Sequence, residues 1–107
     1  AKMALVVLSM MPGKRYIITP GMIDLGKKQD EYNHEFGKRM KHFVDEVILV
    51  GPKQTKAIQE GLAEMNFDAD HIHVYQTVQE ALAYVYEHAD EHDTILLEND
   101  LPEAFSR

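Results

Sequence analysis

The sequence predicts a three-layer α/β domain: a mostly parallel sheet of about four strands with helices on both faces. Two patterns and the length predict it. Arg15 to Thr19, Glu46 to Val50, His71 to Tyr75 and Thr94 to Glu98 are short runs with apolar or β-branched centres, which read as strands. Between them lie three segments of helical length with apolar residues at helical spacing. Strands alternating with helices imply right-handed crossovers and a parallel sheet. The 107 residues suffice for one core, so residues 1–107 are read as a single domain, short for an enzyme that must hold a nucleotide and a second substrate.

Met3 to Met11 is the most apolar run, interrupted by Ser9, and its apolar residues go nearly all round a helix. A buried first helix ending at Pro12-Gly13 is expected, with a strand as the rival because Val6 and Val7 are β-branched. The run is too short to span a bilayer, and it lacks the cleavage site of a signal peptide. After the first strand, Phe36, Met40 and Phe43 form one helical stripe, and Ile58, Leu62 and Met65 form another. The clearest helix is Thr77 to Ala89, where Val78, Ala81, Leu82, Val85, Tyr86 and Ala89 follow an N-cap Thr77 and a capping-box Glu80. Leu101 to Arg107 read as a helix start or a short tail.

Eighteen acidic residues against eleven Lys and Arg give a formal charge of −7, with the acids scattered. A nucleic-acid partner needs a basic face and is therefore not expected. The absence of cysteine removes disulfides and thiolate chemistry and fits a reducing compartment, so a cytoplasmic location is expected.

A spatial strand order of 3-2-1-4 would put the topological switch point between strands one and four, where open α/β sheets bind ligands. The loops meeting there would be Thr19-Pro20-Gly21-Met22 and Glu98-Asn99-Asp100. The first runs on to Gly26; its glycines admit close backbone approach, and N–H groups at the next helix start can hold an anion. They serve equally as turn residues with positive φ, and both readings stand. The second offers two carboxylates and an amide that can orient an ammonium group, bind a divalent cation or move a proton. Asn99 or Asp100 is also a natural helix cap before Pro102, and a cap with an added ligand contact is the reading adopted.

Other motifs are weaker. Gly13-Lys14 and Gly51-Pro52-Lys53 do not form a phosphate loop, since Leu8 stands where an earlier glycine is needed and Pro52 is misplaced. Gly51 to Thr55 is read as a plain helix start, with Lys53, Gln54 and Thr55 as alternative ligand contacts. His71 with His73, and His88 with His92, have chelating spacings, but both pairs lie among acidic residues expected to be exposed, and no third and fourth ligand is evident. No metal site is expected. Ser9 and Ser106 lie in no nucleophile elbow.

Taken in order, M-P-G-K-R-Y-I-I-T-P-G-M-I-D-L-G, Asn33 with Phe36-Gly37, V-I-L-V-G-P-K-Q-T and T-I-L-L-E-N-D-L-P resemble the carboxyl-terminal domain of the Mur ligases. The resemblance covers nearly the whole chain and is nearest to the branch that adds D-alanyl-D-alanine to a UDP-linked tripeptide. It implies a Rossmann-like domain excised from a three-domain enzyme, whose other parts are a UDP-substrate domain and a central ATPase domain. It implies ATP and Mg2+ for the intact enzyme, with no cofactor held by the isolated domain. In such enzymes ATP phosphorylates the carboxylate of a UDP-MurNAc-peptide, and an amino acid or dipeptide attacks the acyl phosphate to give an amide, ADP and phosphate. The third domain is a lid whose closure excludes water and aligns the attack.

By that resemblance Thr19, Gly21, Met22 and Asp24 form the nucleotide-side loop, with Gly21 replacing an acidic residue and Asp24 a glutamate. Glu98, Asn99 and Asp100 position the amine. No residue is assigned general-base duty. Two departures bear on this reading. An acidic-Tyr-Asn-x-Asn-Pro segment expected just before Ala1 is absent, which suggests that the chain was cut from a longer protein. Glu98-Asn99-Asp100-Leu101 stands where many relatives carry a basic Lys-Gly-Ser-Arg-like sequence, a reversal that favours an ammonium over a carboxylate. The rival readings are a stand-alone α/β binding or regulatory module, and a ligase of the same kind with a different amine.

Overall fold

The computed structural model describes residues 13–22 and 26–98. The expectations for Met3 to Met11 and for Leu101 to Arg107 lie outside the described residues. Four strands, β1 (Arg15–Thr19), β2 (Glu46–Val50), β3 (Ile72–Tyr75) and β4 (Thr94–Leu97), alternate with α1 (Gln29–Met40), α2 (Lys56–Glu64) and α3 (Val78–His88). Single turns of 3-10 helix precede α1 (Gly26–Lys28) and β3 (Ala69–His71). His71 thus closes a turn, and the third strand starts one residue later than expected. The fourth ends one residue earlier.

All the strand pairs are parallel, in the order β3-β2-β1-β4. Ile17 sits opposite Val47 on one side and Leu96 on the other, and Ile48 sits opposite His73. The two central strands are buried on both faces, which is why they read as continuous apolar runs rather than alternating ones. Ile17, Val47 and Leu49 point to one face, where Phe36 and Met40 of α1 and Ile58 and Leu62 of α2 cover them. Tyr16, Ile18 and Ile48 point to the other, where Ala81 and Val85 of α3 lie. Phe43 and Met65, counted in the helical stripes, fall just beyond the ends of α1 and α2. Phe43 still packs partly buried against the first core. Ile95 and Leu97 of β4 remain exposed. Among the described residues no helix is long and apolar enough to cross a membrane.

Local chemistry sets the helix ends. Thr77 Oγ1 accepts the Glu80 N–H, while Glu80 Oε1 accepts the Thr77 and Gln76 N–H groups, completing the expected capping box of α3. Thr55 precedes α2 but does not cap it. Its buried hydroxyl donates back to the Gly51 carbonyl at 2.8 Å.

Two glycines set the crossing of α1 and α2. A Cβ at Gly37 would overlap the Ile58 carbonyl oxygen, and one at Gly61 would overlap that of His34, so each helix presses a glycine against the other's backbone. Exposed glycines in helix interiors cost about 1 kcal/mol relative to alanine. Here alanine should be worse despite its helix propensity, because backbone carbonyls cannot swing aside. Gly37→Ala and Gly61→Ala are each expected to lower unfolding free energy by about 1–3 kcal/mol, measured by urea denaturation. Unchanged or raised stability would contradict the close crossing.

Candidate functional site

The switch point between β1 and β4 forms as the strand order requires. The Glu98 N–H donates to the Ile18 carbonyl at 2.9 Å, extending the β1–β4 ladder and bringing Glu98 beside the β1 loop. Ile18, Pro20, Val50, Val78, Leu97 and Glu98 line a hollow of about 290 Å³ at the carboxyl ends of the strands. That is near the lower end of ligand-pocket volumes, so it admits a small molecule or one end of a larger one. A single carboxylate among five apolar side chains suits a small group that joins a cationic nitrogen to an aliphatic body.

The described part of the β1 loop, Thr19 to Met22, is held by side chains on both sides. Thr19 is fully buried, and its hydroxyl accepts the Gly21 N–H at 3.0 Å. Gly21 has φ +83°, and a Cβ there would lie 3.1 Å from Ile58 Cδ1 and 3.3 Å from Asn33 Oδ1. The buried Asn33 amide clamps Met22, with Oδ1 accepting its N–H at 2.7 Å and Nδ2 donating to its carbonyl at 3.0 Å. Met22 also packs against the core under α1 and α2. From Pro20 to Met22 no backbone donor remains for an anion, since proline has none and the other two are engaged. Thr19, Gly21 and Met22 therefore shape the loop, while Pro20 presents it to the hollow. Asp24, Asn99 and Asp100 lie outside the described residues.

Ile18, Leu97, Val50 and Val78 line the hollow without having been sequence candidates for it, while Gln54, offered as an alternative ligand contact, serves the loop instead. Val50 and Val78 line the hollow because β2 ends, and α3 begins, at the same edge of the sheet. Gln54 Nε2 donates to the Pro20 carbonyl at 3.1 Å and to the Val50 carbonyl at 3.2 Å, tying the β2–α2 turn to the β1 loop. The glycine-proline turn signalled the helix start there, but no local pattern could show a bond across 34 positions.

The histidines belong to the opposite end of the sheet. The expectation that His71 and His73 lie among exposed acidic residues is corrected, because both donate to Glu46, which is only 4% exposed at the start of β2. His71 Nδ1 lies 2.6 Å from Oε2, and His73 Nε2 lies 2.9 Å from Oε1. Lys14 Nζ is 3.5 Å from Oε2, and Tyr84 of α3 stacks on His73 with its hydroxyl 3.1 Å from Nε2. His88 also stacks on Tyr84, and the His92 N–H donates to Asp90. Neither histidine pair converges as a chelate. Among the described residues no three His, Cys, Asp or Glu side chains are grouped to hold a metal ion. A broader hollow of about 540 Å³ opens beside this cluster, lined by Lys14, Lys41, Asp45, Glu46, Asp68 and His71 among others. Its charges are internally matched: Arg15 pairs with Asp45 at 3.1 Å, and Lys41 Nζ donates to the Met65 carbonyl.

An open parallel α/β sheet with its crevice at the carboxyl ends of β1 and β4 defines a Rossmann-like domain. The family described as Mur ligase, glutamate ligase domain, matches residues 1–98, and the chain belongs to that family as its carboxyl-terminal domain. The fold is similar to that of MurF from Acinetobacter baumannii, with a TM-score of 0.70 at 20% identity over 92% of this chain. The likeness covers 21% of that protein, so this chain corresponds to about a fifth of its length. No curated protein sequence matches the chain.

Burial pushes the Glu46 carboxyl up, but hydrogen bonds from His73 and His71, and the charges of His71 and Lys14, outweigh it and hold the group below its usual 4.5. The hydrogen bond to Glu46, then its charge, raises His71 above 6.5. The raised His71 contributes stability that is complete below pH 6.5 and lost as pH rises through its folded value. The lowered Glu46 contributes stability present above pH 4.5 and lost as pH falls through its folded value. The cluster should therefore stabilise most between pH 4.5 and 6.5. Urea midpoints measured from pH 5.5 to 8.5 should decline less steeply for His71→Ala than for the parent chain. Parallel profiles would show that His71 is not coupled to folding.

Proposed function

We propose that this chain is the lid domain of an ATP-dependent, ADP-forming ligase of peptidoglycan synthesis, which joins D-alanyl-D-alanine or another amino acid to a UDP-MurNAc-peptide. The observation that carries the reading is the meeting of Glu98 with the β1 loop over a small apolar hollow, in a chain that belongs to the Mur ligase family. The chain's partners in this account are the central ATPase domain and the UDP-binding domain, and the setting is cytoplasmic. ATP and Mg2+ are assigned to those domains in this account, as the reaction of the Mur ligase family implies.

The reaction asks two things of a lid. The incoming ammonium must first give up a proton to free its lone pair; the nitrogen then meets the carbonyl carbon of an acyl phosphate, the C–N bond forms, the nitrogen sheds a second proton, and the C–O bond to phosphate breaks as phosphate departs. Water must meanwhile be kept from that carbon. Glu98 holds the incoming ammonium electrostatically at the mouth of the hollow, while Ile18, Val50, Val78 and Leu97 take an aliphatic side chain. Asn99 and Asp100 extend the acidic edge in the sequence. Thr19, Gly21 and Met22 frame the nucleotide-side loop, to which Asp24 belongs in the sequence.

The test is Glu98→Gln in the intact ligase, with the rate of amide formation followed against amine concentration. The expected result is at least about a tenfold loss in kcat/KM for the amine, with KM for the UDP-peptide unchanged. Unchanged turnover would remove Glu98 from amine positioning. A panel of amines run on the parent enzyme identifies the substrate.

A further inference from the structure

The β1 loop is held from two sides by side-chain amides, and each amide has its own glycine. Asn33, one turn before the α1–α2 crossing glycine Gly37, makes both of its hydrogen bonds to the single residue Met22. Gly21, at φ +83°, leaves the space that Asn33 Oδ1 and Ile58 Cδ1 occupy. Gln54 reaches the same loop from the β2–α2 turn through the Pro20 carbonyl. Gly51, at φ +91°, gives Gln54 its room, since a Cβ there would lie 2.8 Å from Gln54 Cγ and Cδ. The exposed Gln54 and the buried Asn33 thus fix the peptides on either side of Gly21, and the Thr19 hydroxyl fixes the Gly21 N–H between them.

We propose that Asn33 and Gln54 are positioning residues for amide formation: they hold the β1 loop rigid so that the closed lid keeps water from the activated carboxylate. The assignment rests on the lid reading above. Neither side chain touches the reacting atoms. Each acts through the backbone it clamps. A loop whose backbone groups are already bonded to Thr19, Asn33 and Gln54 enters closure as a preset wall rather than by induced fit. Loss of either clamp should let the wall breathe and admit water, diverting acyl phosphate to hydrolysis.

The experiment uses the intact ligase with Asn33→Ala, Asn33→Asp and Gln54→Ala, the last altering an exposed side chain and so guarding against a folding defect. ADP and amide are quantified together, and backbone hydrogen exchange is followed across residues 18–22. The expected result is faster exchange in the loop, about a tenfold or greater fall in kcat for amide, and a ratio of ADP to amide that rises above one while KM for the UDP-peptide holds. Asn33→Asp keeps the acceptor for the Met22 N–H but loses the donor to its carbonyl, and should fall between parent and Asn33→Ala. Faster exchange with an unchanged ratio and rate would overturn the positioning role and leave the lid reading intact. Unchanged exchange would overturn the clamps themselves. A parent enzyme that forms no amide with any amine would refute the lid reading, and the positioning role would fall with it while the exchange signature of the clamps persisted.

Discussion

The contact on which the rest of this domain depends is the glycine-to-backbone crossing of α1 and α2. With Gly37 against Ile58 and Gly61 against His34, the helices approach closely enough to lie together over the same face of β1 and β2. That closeness carries Ile58 beneath Gly21 and fixes the helix from which Asn33 reaches Met22. The geometry of the candidate site is thus inherited from a packing decision made on the far side of two helices. A bulkier residue at the crossing would separate the helices and withdraw the support of the loop, without touching the hollow itself.

The two ends of the sheet differ in their chemistry. At the amino ends carboxylates stitch neighbouring strands together: the Asp93 side chain accepts the Lys14 N–H, Asp45 accepts the Arg15 N–H, and Glu46 gathers His71, His73 and Lys14. These groups answer one another, so the broader hollow there has its charges spoken for. At the carboxyl ends the hydrogen bonds tie the β1 loop to Asn33 and Gln54, and the described lining of the hollow is apolar apart from Glu98. A crevice of that composition discriminates by shape and by one charge.

Much of this was legible in the sequence, for identifiable reasons. Alternating elements implied the parallel sheet, the strand order found is the one chosen among the few topologies that parallel crossovers leave, and the capping box of α3 was written out in Thr77 and Glu80. The pairing of Glu98 with the β1 loop followed from that order. Other features were not legible, because they join residues distant along the chain. The link between Gln54 and Pro20 spans 34 positions, the clamp of Asn33 on Met22 joins two elements, and the burial of Glu46 comes from two histidines of β3 and its preceding turn rather than from its neighbours. A glutamate opening a strand looks like a solvated edge until the tertiary fold folds imidazoles over it. Gly21 showed a different ambiguity. Its positive φ was foreseeable from the loop, but only the neighbouring side chains reveal that the space it leaves is filled by Asn33 and Ile58.

The central claim is that the carboxyl edge of β1 and β4 faces the reaction when the lid closes. The most direct measurement is residue-resolved hydrogen exchange of the intact ligase, free and with ATP and UDP-peptide bound. New protection at residues 18–22 and 97–98, with little change at Lys14, Glu46 and His71, is what a lid closing through this edge predicts. Protection at the amino ends instead, with the β1 loop and Glu98 unaffected, would show that the domain docks the other way round and would contradict the account.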